Sequence, residues 1–302
     1  MTVLATLRIG TRESRLALAQ ANLAAQAVHA VIGSTELVPL TTRGDALSTA
    51  QPRGRWIATD GQFTGELERA LLDRRVDLVV HSYKDLPTAP VSGLTIAAVL
   101  ERADPRDCLI APGGGGGLDD LPFGGRIGTS STRRAAQLAA ARSDLIAVPI
   151  RGNVETRLRR LENHEYDGLL LAAAGLDRLG ISVTERARLS LDLMLPAPAQ
   201  GALAIQARSD DTQLLTALKG IEHAPTRVGV EAERALLRRI GGGCLAPLGA
   251  LGEVAGDTLR LRAAYEDASG AYVRADASGP AADPDSVVGK VADELLRAGA
   301  AA

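Results

Sequence analysis

The chain has 302 residues, of which 46% are hydrophobic, enough for two or three domains that each bury a core. Aromatic residues make up 2% and the formal net charge is -2. The composition therefore lacks the basic surface and the stacking side chains that are typical of nucleic-acid-binding proteins. We expect no nucleic-acid partner.

Targeting and metal-binding signals are also lacking. Residues 1–10 do not show the charged start and apolar run of a signal peptide, and no apolar stretch is long enough to span a bilayer. The two cysteines, Cys108 and Cys244, lie far apart, without the spacing of a zinc site or of a disulfide framework. We expect a cytoplasmic protein with no membrane partner and no metal.

The N-terminal part of the chain alternates strand-like and helix-like segments. Leu7–Gly10 predicts a strand, and Leu16–Val31 predicts an Ala- and Leu-rich helix for which Ser14 is a candidate cap. The alternation continues with strands at Glu36–Leu40, Asp77–Val80 and Leu94–Leu100, a long loop at Thr42–Gly61 and a helix at Gln62–Asp73.

The segment His81–Asp85 is polar, follows the strand Asp77–Val80 directly, and is followed by prolines that stop regular structure. Its side chains should lie at the carboxyl end of a sheet strand, where open α/β sheets bind ligands. Lys84 and Asp85 are therefore candidates for ligand contact. The alternative is a solvated Lys–Asp pair in a turn.

A second α/β unit begins like the first, because Arg126–Thr129 repeats the residues of Arg8–Thr11. Gly201–Gln206 is a candidate strand that returns to the first unit. Two units of like construction suggest two lobes with a cleft between them. The elements predicted in the second unit are helices at Thr132–Arg142 and Val154–Glu162, strands at Leu145–Ile150 and Gly168–Ala173, and a loop at Arg151–Asn153.

The C-terminal part has a different pattern. An amphipathic helix, Thr226–Ile240, precedes antiparallel strands within Leu248–Ala277 and a last helix, Ser286–Ala298, which together predict a small α+β domain. The predicted domains are residues 1–101 with 201–219 for the first lobe, 106–196 for the second lobe and 224–302 for the C-terminal domain.

Several arginines stand at the ends of predicted strands or the starts of predicted helices. Arg133 and Arg134 occupy the first turn of a helix opened by Thr129–Ser131, where free backbone N–H groups and hydroxyls attract anions. Guanidinium groups gathered at one cleft suit a ligand with several carboxylates. The alternative is an ordinary serine cap with solvated arginines. The other arginines at such places are Arg12, Arg151 and Arg157.

Two further residues could carry chemistry. Asp85 is the acid expected among these cations, where it would balance positive charge that forms on a substrate nitrogen. Cys244 follows the glycines Gly241–Gly243 in a predicted loop, where a thiolate could react or carry a group. Cys108 lies in the strand-like run Asp107–Ile110 and is predicted to be core.

A set of motifs in a fixed order carries a specific resemblance: Arg8–Ser14, Val80–Pro87, Gly128–Arg134, Arg151–Val154, Ala173–Gly180, Gln200–Ala202 and Gly242–Cys244. The chain resembles the porphobilinogen deaminase family, also called the hydroxymethylbilane synthase family, over nearly its whole length. The resemblance implies an α/β fold of two lobes like type II periplasmic binding proteins, with a small C-terminal α+β domain. It also implies a dipyrromethane cofactor in thioether linkage to Cys244.

The activity implied by the resemblance is a transferase reaction of porphyrin and heme biosynthesis in a monomeric protein. Four molecules of the substrate porphobilinogen condense head to tail with loss of ammonia, and a linear tetrapyrrole is released by hydrolysis while the cofactor stays attached. Asp85 matches the catalytic aspartate, which we expect to be buried, and Phe63 matches an aromatic residue near an active-site loop. The residues implied to contact cofactor and substrate are Arg12, Ser14, Lys84, Thr129, Ser131, Arg133, Arg134, Arg151, Arg157, Arg178 and Gln200.

Three positions depart from the family pattern. Asp60 replaces a lysine in the loop before Phe63, Thr132 replaces a leucine, and Ala199 replaces a glycine. Two other functions stay open at this point. One is a non-catalytic two-lobed binding protein for a polycarboxylate ligand, and the other is a family member that has lost its activity through the altered loop.

Overall fold

The computed structural model describes residues 6–41, 64–113, 116–241, 243, 246–267 and 270–297. The described residues fall into two units. The first contains the described residues within 6–41, 64–103 and 202–227, and the second those within 104–201 and 228–297. Within these described ranges, no helix combines the length and the apolar character needed to cross a membrane.

The described residues form twelve β-strands and eight α-helices. The strands are β1 (Leu7–Arg12), β2 (Thr35–Leu40), β3 (Leu78–Ser82), β4 (Leu94–Val99), β5 (Asp107–Ile110), β6 (Arg126–Gly128), β7 (Ile146–Val148), β8 (Gly168–Ala172), β9 (Leu203–Arg208), β10 (Leu248–Ala255), β11 (Thr258–Glu266) and β12 (Tyr272–Pro280). The α-helices are α1 (Arg15–Val31), α2 (Gly65–Leu72), α3 (Thr132–Ala141), α4 (Val154–Glu162), α5 (Ala173–Arg178), α6 (Thr212–Leu218), α7 (Ala224–Ile240) and α8 (Pro284–Arg297).

The first unit is built on a sheet with the strand order β2-β1-β3-β9-β4. β1 runs parallel to β2 and β3, whereas β9 is antiparallel to β3 and β4. Helices α1 and α6 pack on one face, around Leu78 and Ile205, and α2 packs on the other, around Val79. Because both faces are covered, the central strands are nearly continuous apolar runs.

The second unit repeats this arrangement in the sheet β7-β6-β8-β5. β6 is parallel to β7 and β8, and β5 is antiparallel to β8 as β9 is to β3. The repeated residues also have matching partners: the backbone N–H of Arg8 donates to the Asp77 carboxylate at 2.9 Å, and that of Arg126 donates to Asp167 at 2.7 Å. The repeat seen in the sequence is therefore a repeat of structure.

The C-terminal part of the second unit is the antiparallel sheet β10-β11-β12, packed against α7 and α8. Leu236 on α7, Leu261 on β11 and Val291 on α8 are fully buried in its core. Helix α7 approaches β10 closely, since a Cβ atom at Gly229 would lie 2.4 Å from the carbonyl oxygen of Gly252. Glycine at both positions allows the two backbones to meet.

These sheets confirm the predicted fold class of two α/β lobes and a small C-terminal α+β domain. The ends of some elements differ from the prediction. β3 was expected to end at Val80, but it continues to Ser82 because its pairing with β9 extends that far. Helix α5 was not predicted, and the loop predicted at Thr42–Gly61 lies outside the described residues. The residue limits proposed for three domains stay a prediction.

Candidate active site

The turn after β3 places Asp85 at the surface of the first unit. Tyr83–Asp85 forms a short 3₁₀ turn in which Tyr83 is 2% exposed, and Leu86 after it is 4% exposed. Because these two side chains are buried, the two polar residues between them lie nearer the surface. Asp85 is exposed and Lys84 is half-buried. The expectation of a buried carboxylate at Asp85 is wrong for this structure. Among the described residues, the Asp85 carboxylate has no hydrogen-bond partner.

Hydrogen bonds fix the end of β3 that precedes this turn. The buried His81 ring donates from Nε2 to the side-chain oxygen of Gln206 at 2.9 Å, and the Gln206 amide nitrogen donates to Glu68 at 3.4 Å. Burial lowers the pKa of His81 to about 4, so the ring is uncharged near neutral pH. Ser82 exchanges hydrogen bonds of 2.8 and 3.0 Å with Gln20 of α1. Both side chains at the strand end are therefore held in place before the exposed acid follows.

Arg12 and Ser14 lie where β1 passes into α1. Arg12 is the last residue of β1 and is half-buried. Ser14 is the N-cap of α1, and its hydroxyl oxygen accepts a hydrogen bond from the backbone N–H of Ala17 at 3.3 Å, which confirms the predicted cap. The first unit thus holds four of the residues predicted for the site: Arg12, Ser14, Lys84 and Asp85.

In the second unit, Thr129–Ser131 connect β6 to α3. Thr129 is buried, and its hydroxyl oxygen accepts a hydrogen bond from the backbone N–H of Ser131 at 3.2 Å. Ser131 is the N-cap of α3 and accepts from the backbone N–H of Arg134 at 3.4 Å. The chain therefore builds a capped helix start that carries two consecutive arginines, as predicted.

The side chains of Arg133 and Arg134 point into the protein rather than into solvent. They are 3% and 8% exposed, and they share the carboxylate of Asp107. Arg133 Nη1 donates to one carboxylate oxygen at 2.7 Å, and Arg134 Nη2 donates to the other at 2.6 Å. Burial alone would raise the pKa of Asp107, but the two guanidinium charges outweigh it and hold this pKa well below its usual range. The alternative of two solvated arginines is excluded.

Sequence reasoning missed Asp107 as a member of the site. The available signal was an acid at the start of Asp107–Ile110, a run that is otherwise apolar and that forms a fully buried strand. A buried carboxylate requires charged or hydrogen-bonding partners, so its position predicted a polar network without saying which residues complete it.

Gln200 joins the same network. It is fully buried, and its Nε2 donates to Asp107 at 2.9 Å and to the carbonyl oxygen of Pro105 at 2.8 Å. Ala199 before it has a φ of 62°, in the left-handed region that favours glycine. The Ala199 N–H donates to the buried carboxylate of Glu233 on α7 at 2.5 Å. The loop that carries Gln200 is therefore tied both to β5 and to α7.

Arg157 and Arg178 are half-buried cations whose side chains donate hydrogen bonds to backbone carbonyl oxygens. Arg157 Nε donates to the carbonyl oxygen of Gly152 at 2.8 Å, and Arg178 Nη2 donates to that of Gly201 at 2.6 Å. Among the described residues, no carboxylate forms an ion pair with either side chain. Burial lowers the pKa of each to about 10, and the charge of Arg134 contributes at Arg157, so both stay protonated near neutral pH. Such cations favour the binding of an anion.

Two residues of the predicted site lie outside the part of the chain that the structure describes. Phe63 and Cys244 lie outside the described residues, as does the altered loop position Asp60. Arg151 is half-buried and precedes Gly152, whose φ of 107° turns the chain into α4. The members of the predicted site that the second unit holds are Thr129, Ser131, Arg133, Arg134, Arg151, Arg157, Arg178 and Gln200.

The cations of the second unit fit a dipyrromethane cofactor, whose side chains end in carboxylates. Arg157 and Arg178 are the clearest case, since each keeps its positive charge under partial burial and neither forms an ion pair with an acid of the described chain. Partly buried cations without an ion pair lower the stability of the fold, and a bound polycarboxylate would offset this loss by pairing with them.

Comparison with known proteins identifies the family. The protein-family model for "Porphobilinogen deaminase, dipyromethane cofactor binding domain" matches residues 7–216. The family model for "Porphobilinogen deaminase, C-terminal domain" matches residues 228–297. The porphobilinogen deaminase of Desulforudis audaxviator is 48% identical over 97% of this chain and 94% of its own length. That of Roseiflexus sp. (strain RS-1) is 45% identical over 97% of both chains.

Solved structures with a similar fold include binding proteins. The periplasmic substrate-binding protein of an ABC transporter from Coxiella burnetii has a TM-score of 0.44 and 14% identity, over 76% of this chain and 97% of that one. The methionine-binding protein MetQ has a TM-score of 0.42 and 12% identity, over 72% of this chain and 89% of its own. Two family models match the chain, and curated relatives are 45–48% identical to it over almost its full length. The chain therefore belongs to the porphobilinogen deaminase family.

Proposed function

We propose that this chain is a hydroxymethylbilane synthase, a transferase that joins four porphobilinogen molecules head to tail on a covalently held dipyrromethane primer. Ammonia leaves at each condensation and the product is a linear tetrapyrrole. Membership of the porphobilinogen deaminase family is the observation that carries this proposal. It favours the transferase over the non-catalytic binding protein.

Asp85 is proposed as the catalytic residue. Its carboxylate is exposed after a rigid strand end and has no partner among the described residues, so it is available to a substrate. A carboxylate beside a substrate nitrogen favours the positive charge that develops there as ammonia leaves and as the next ring is attacked. A bound substrate would also exclude water from Asp85, which strengthens this stabilisation.

The cations are proposed to bind the acetate and propionate side chains of porphobilinogen and of the cofactor. In the first unit these are Arg12 and Lys84, with Ser14 as a supporting contact. In the second unit the buried guanidiniums cannot all be neutralised by Asp107, and Arg157 and Arg178 have no ion pair among the described residues. The remaining proposed contacts are Thr129, Ser131, Arg133, Arg134, Arg151 and Gln200, and Phe63 is proposed to lie at the active-site loop.

Cys244 is proposed as the attachment point of the cofactor through a thioether. When bound, the dipyrromethane supplies the pyrrole carbon to which the first substrate is joined. Cys108, the other cysteine, is fully buried, and burial raises the pKa of its thiol to about 12, so it is a poor nucleophile. This contrast leaves Cys244 as the thiol for the attachment.

The finer organisation is also proposed. Residues 1–101 with 201–219 form the first lobe, 106–196 the second and 224–302 the C-terminal domain. The protein is proposed to work as a cytoplasmic monomer without nucleic acid. Asp60, in place of the lysine usual in the family, is proposed to change the behaviour of the loop while the catalytic residues are retained.

The Asp85→Asn variant tests the catalytic assignment. The amide keeps the shape of the side chain but loses its charge, so turnover of porphobilinogen should fall by at least about 100-fold while substrate is still bound. Asp73→Asn, an exposed acid at the end of α2 in the same unit, is the matched control and should leave turnover unchanged. Unaltered turnover in Asp85→Asn would disprove the role of Asp85. A wild-type chain that binds porphobilinogen without releasing ammonia would instead support the non-catalytic binding protein.

A further inference from the structure

Three of the proposed ligand-contacting residues converge on one acid that has no assigned role. The Asp107 carboxylate is fully buried at the start of β5. One of its oxygens accepts from Arg133 Nη1 at 2.7 Å. The other accepts from Arg134 Nη2 at 2.6 Å and from Gln200 Nε2 at 2.9 Å. A single side chain thus sets the orientation of two guanidiniums and one amide.

The charges in this cluster do not balance. Asp107 is the one acid that forms ion pairs with Arg133 and Arg134 in the described part of the chain, so the cluster keeps a net positive charge. Arg157 contributes a further positive charge close to this cluster, since the charge of Arg134 is, after burial, a cause of the lowered pKa of Arg157. In an ion-pair cluster with only a structural role the charges should balance, because an uncompensated buried charge lowers the stability of the fold. The excess positive charge is what a site that binds a carboxylate requires.

The hydrogen bonds occupy only part of each guanidinium. Arg133 Nη1 donates to Asp107 and, at 2.6 Å, to the carbonyl oxygen of Leu195, whereas its Nε is buried without a partner. Arg134 donates from Nε and Nη2 to Asp107 and from Nη1 to the carbonyl oxygen of Leu170 at 3.0 Å. A guanidinium has five N–H groups, so each arginine is fixed by some of them and has others without a partner among the described residues.

We propose that Asp107 is a positioning residue for carboxylate recognition: it holds Arg133, Arg134 and Gln200 in place so that the remaining N–H groups of the two arginines bind an acidic side chain of the substrate. Asp107 itself does not touch the substrate. The inference rests on the proposed function, because it takes porphobilinogen as the ligand. It deepens that function by explaining how buried arginines can serve a binding site.

Steady-state kinetics of the cofactor-loaded full chain test this proposal. In Asp107→Asn the amide nitrogen faces donors instead of accepting from them, so the arginines lose their fixed orientation. Since the acidic side chains of porphobilinogen are remote from the reacting atoms, we expect KM to rise about tenfold or more with kcat within about threefold of wild type. Asp107→Glu keeps the charge but displaces it, and should raise KM about threefold.

Asp144→Asn is the matched control. Asp144 forms a similar pair with Arg142 in the same unit, at 2.7 Å, but contacts none of the proposed site residues, so its loss should leave KM unchanged. A folded Asp107→Asn protein with the wild-type KM would overturn the proposal, as would a loss of kcat alone. If Asp107→Asn does not fold, Asp107→Glu decides: a raised KM supports the proposal, and a wild-type KM overturns it. Wild-type protein that does not turn over porphobilinogen would contradict the proposed function itself.

Discussion

Replacing Gly229 with alanine should loosen α7 from β10. The added Cβ atom would lie 2.4 Å from the carbonyl oxygen of Gly252 and 3.1 Å from its carbonyl carbon. Both are backbone atoms of a strand paired along its length with β11, so neither can rotate away as a flexible side chain would. Helix α7 or strand β10 has to move.

The size of the effect follows from two opposing contributions. Alanine is better than glycine inside a helix by about 1 kcal/mol, which favours the variant. Overpacking a close contact costs roughly 1–3 kcal/mol, and more where backbone must shift. The shift would also disturb Glu233, four residues further along α7, whose carboxylate accepts from the Gly252 N–H at 2.7 Å and from the Ala199 N–H at 2.5 Å. We expect the free energy of unfolding to fall by about 2 kcal/mol or more.

Urea unfolding of the full chain, followed by circular dichroism, measures this change. Gly289→Ala in α8 is the matched control, because the nearest atom to its Cβ would be the flexible tip of Arg239 at 3.5 Å. At that position the higher helix propensity of alanine should dominate and raise the free energy of unfolding by up to about 1 kcal/mol. The reasoning fails if Gly229→Ala is as stable as wild type, or if the two variants change stability in the same direction.

Three further outcomes are expected in the same assay. Ala199→Gly should raise the free energy of unfolding by about 0.5–1 kcal/mol, because it relieves a left-handed alanine; a loss would contradict this. Glu233→Gln should lower it by roughly 2–3 kcal/mol, whereas Glu294→Gln on the exposed face of α8 should change it little. Burial lowers the pKa of His81 from 6.5 to about 4, so between these pH values the unfolded chain binds a proton at His81 and the folded chain does not. The free energy of unfolding should therefore fall by about 3 kcal/mol as the pH drops through this range. His81→Gln should remove that part of the pH dependence, and an unchanged pH profile would contradict the assignment.

Periodicity predicted most of the fold. The alternation of strands and helices, the repeat of Arg8–Thr11 in Arg126–Thr129 and the hairpins of the C-terminal domain all correspond to elements of the structure. These features depend on local pattern, which a sequence displays directly. The extension of β3 through Ser82 depends on β9, which lies far along the chain, so local pattern could not show it.

The sequence could nominate candidate residues for the site but could not predict how their side chains are arranged. The residue types and their places after strands singled out Asp85, Arg133 and Arg134. Sequence alone did not show that Asp85 is exposed, since this follows from the burial of its neighbours in a tight turn. Nor did it show that both arginines are buried on Asp107, because that network joins segments from β5, α3 and the loop before β9. Such long-range contacts appear only when the chain is folded.

The intact mass of the full chain after exposure to porphobilinogen tests the central claim most directly. The wild-type protein and a Cys108→Ser variant should both be heavier than the bare sequence by one dipyrromethane group, and a Cys244→Ser variant should keep the mass of its polypeptide alone. Cys108 is the suitable control because it is fully buried. A wild-type chain that never gains this mass, or a Cys244→Ser chain that does, would contradict the account.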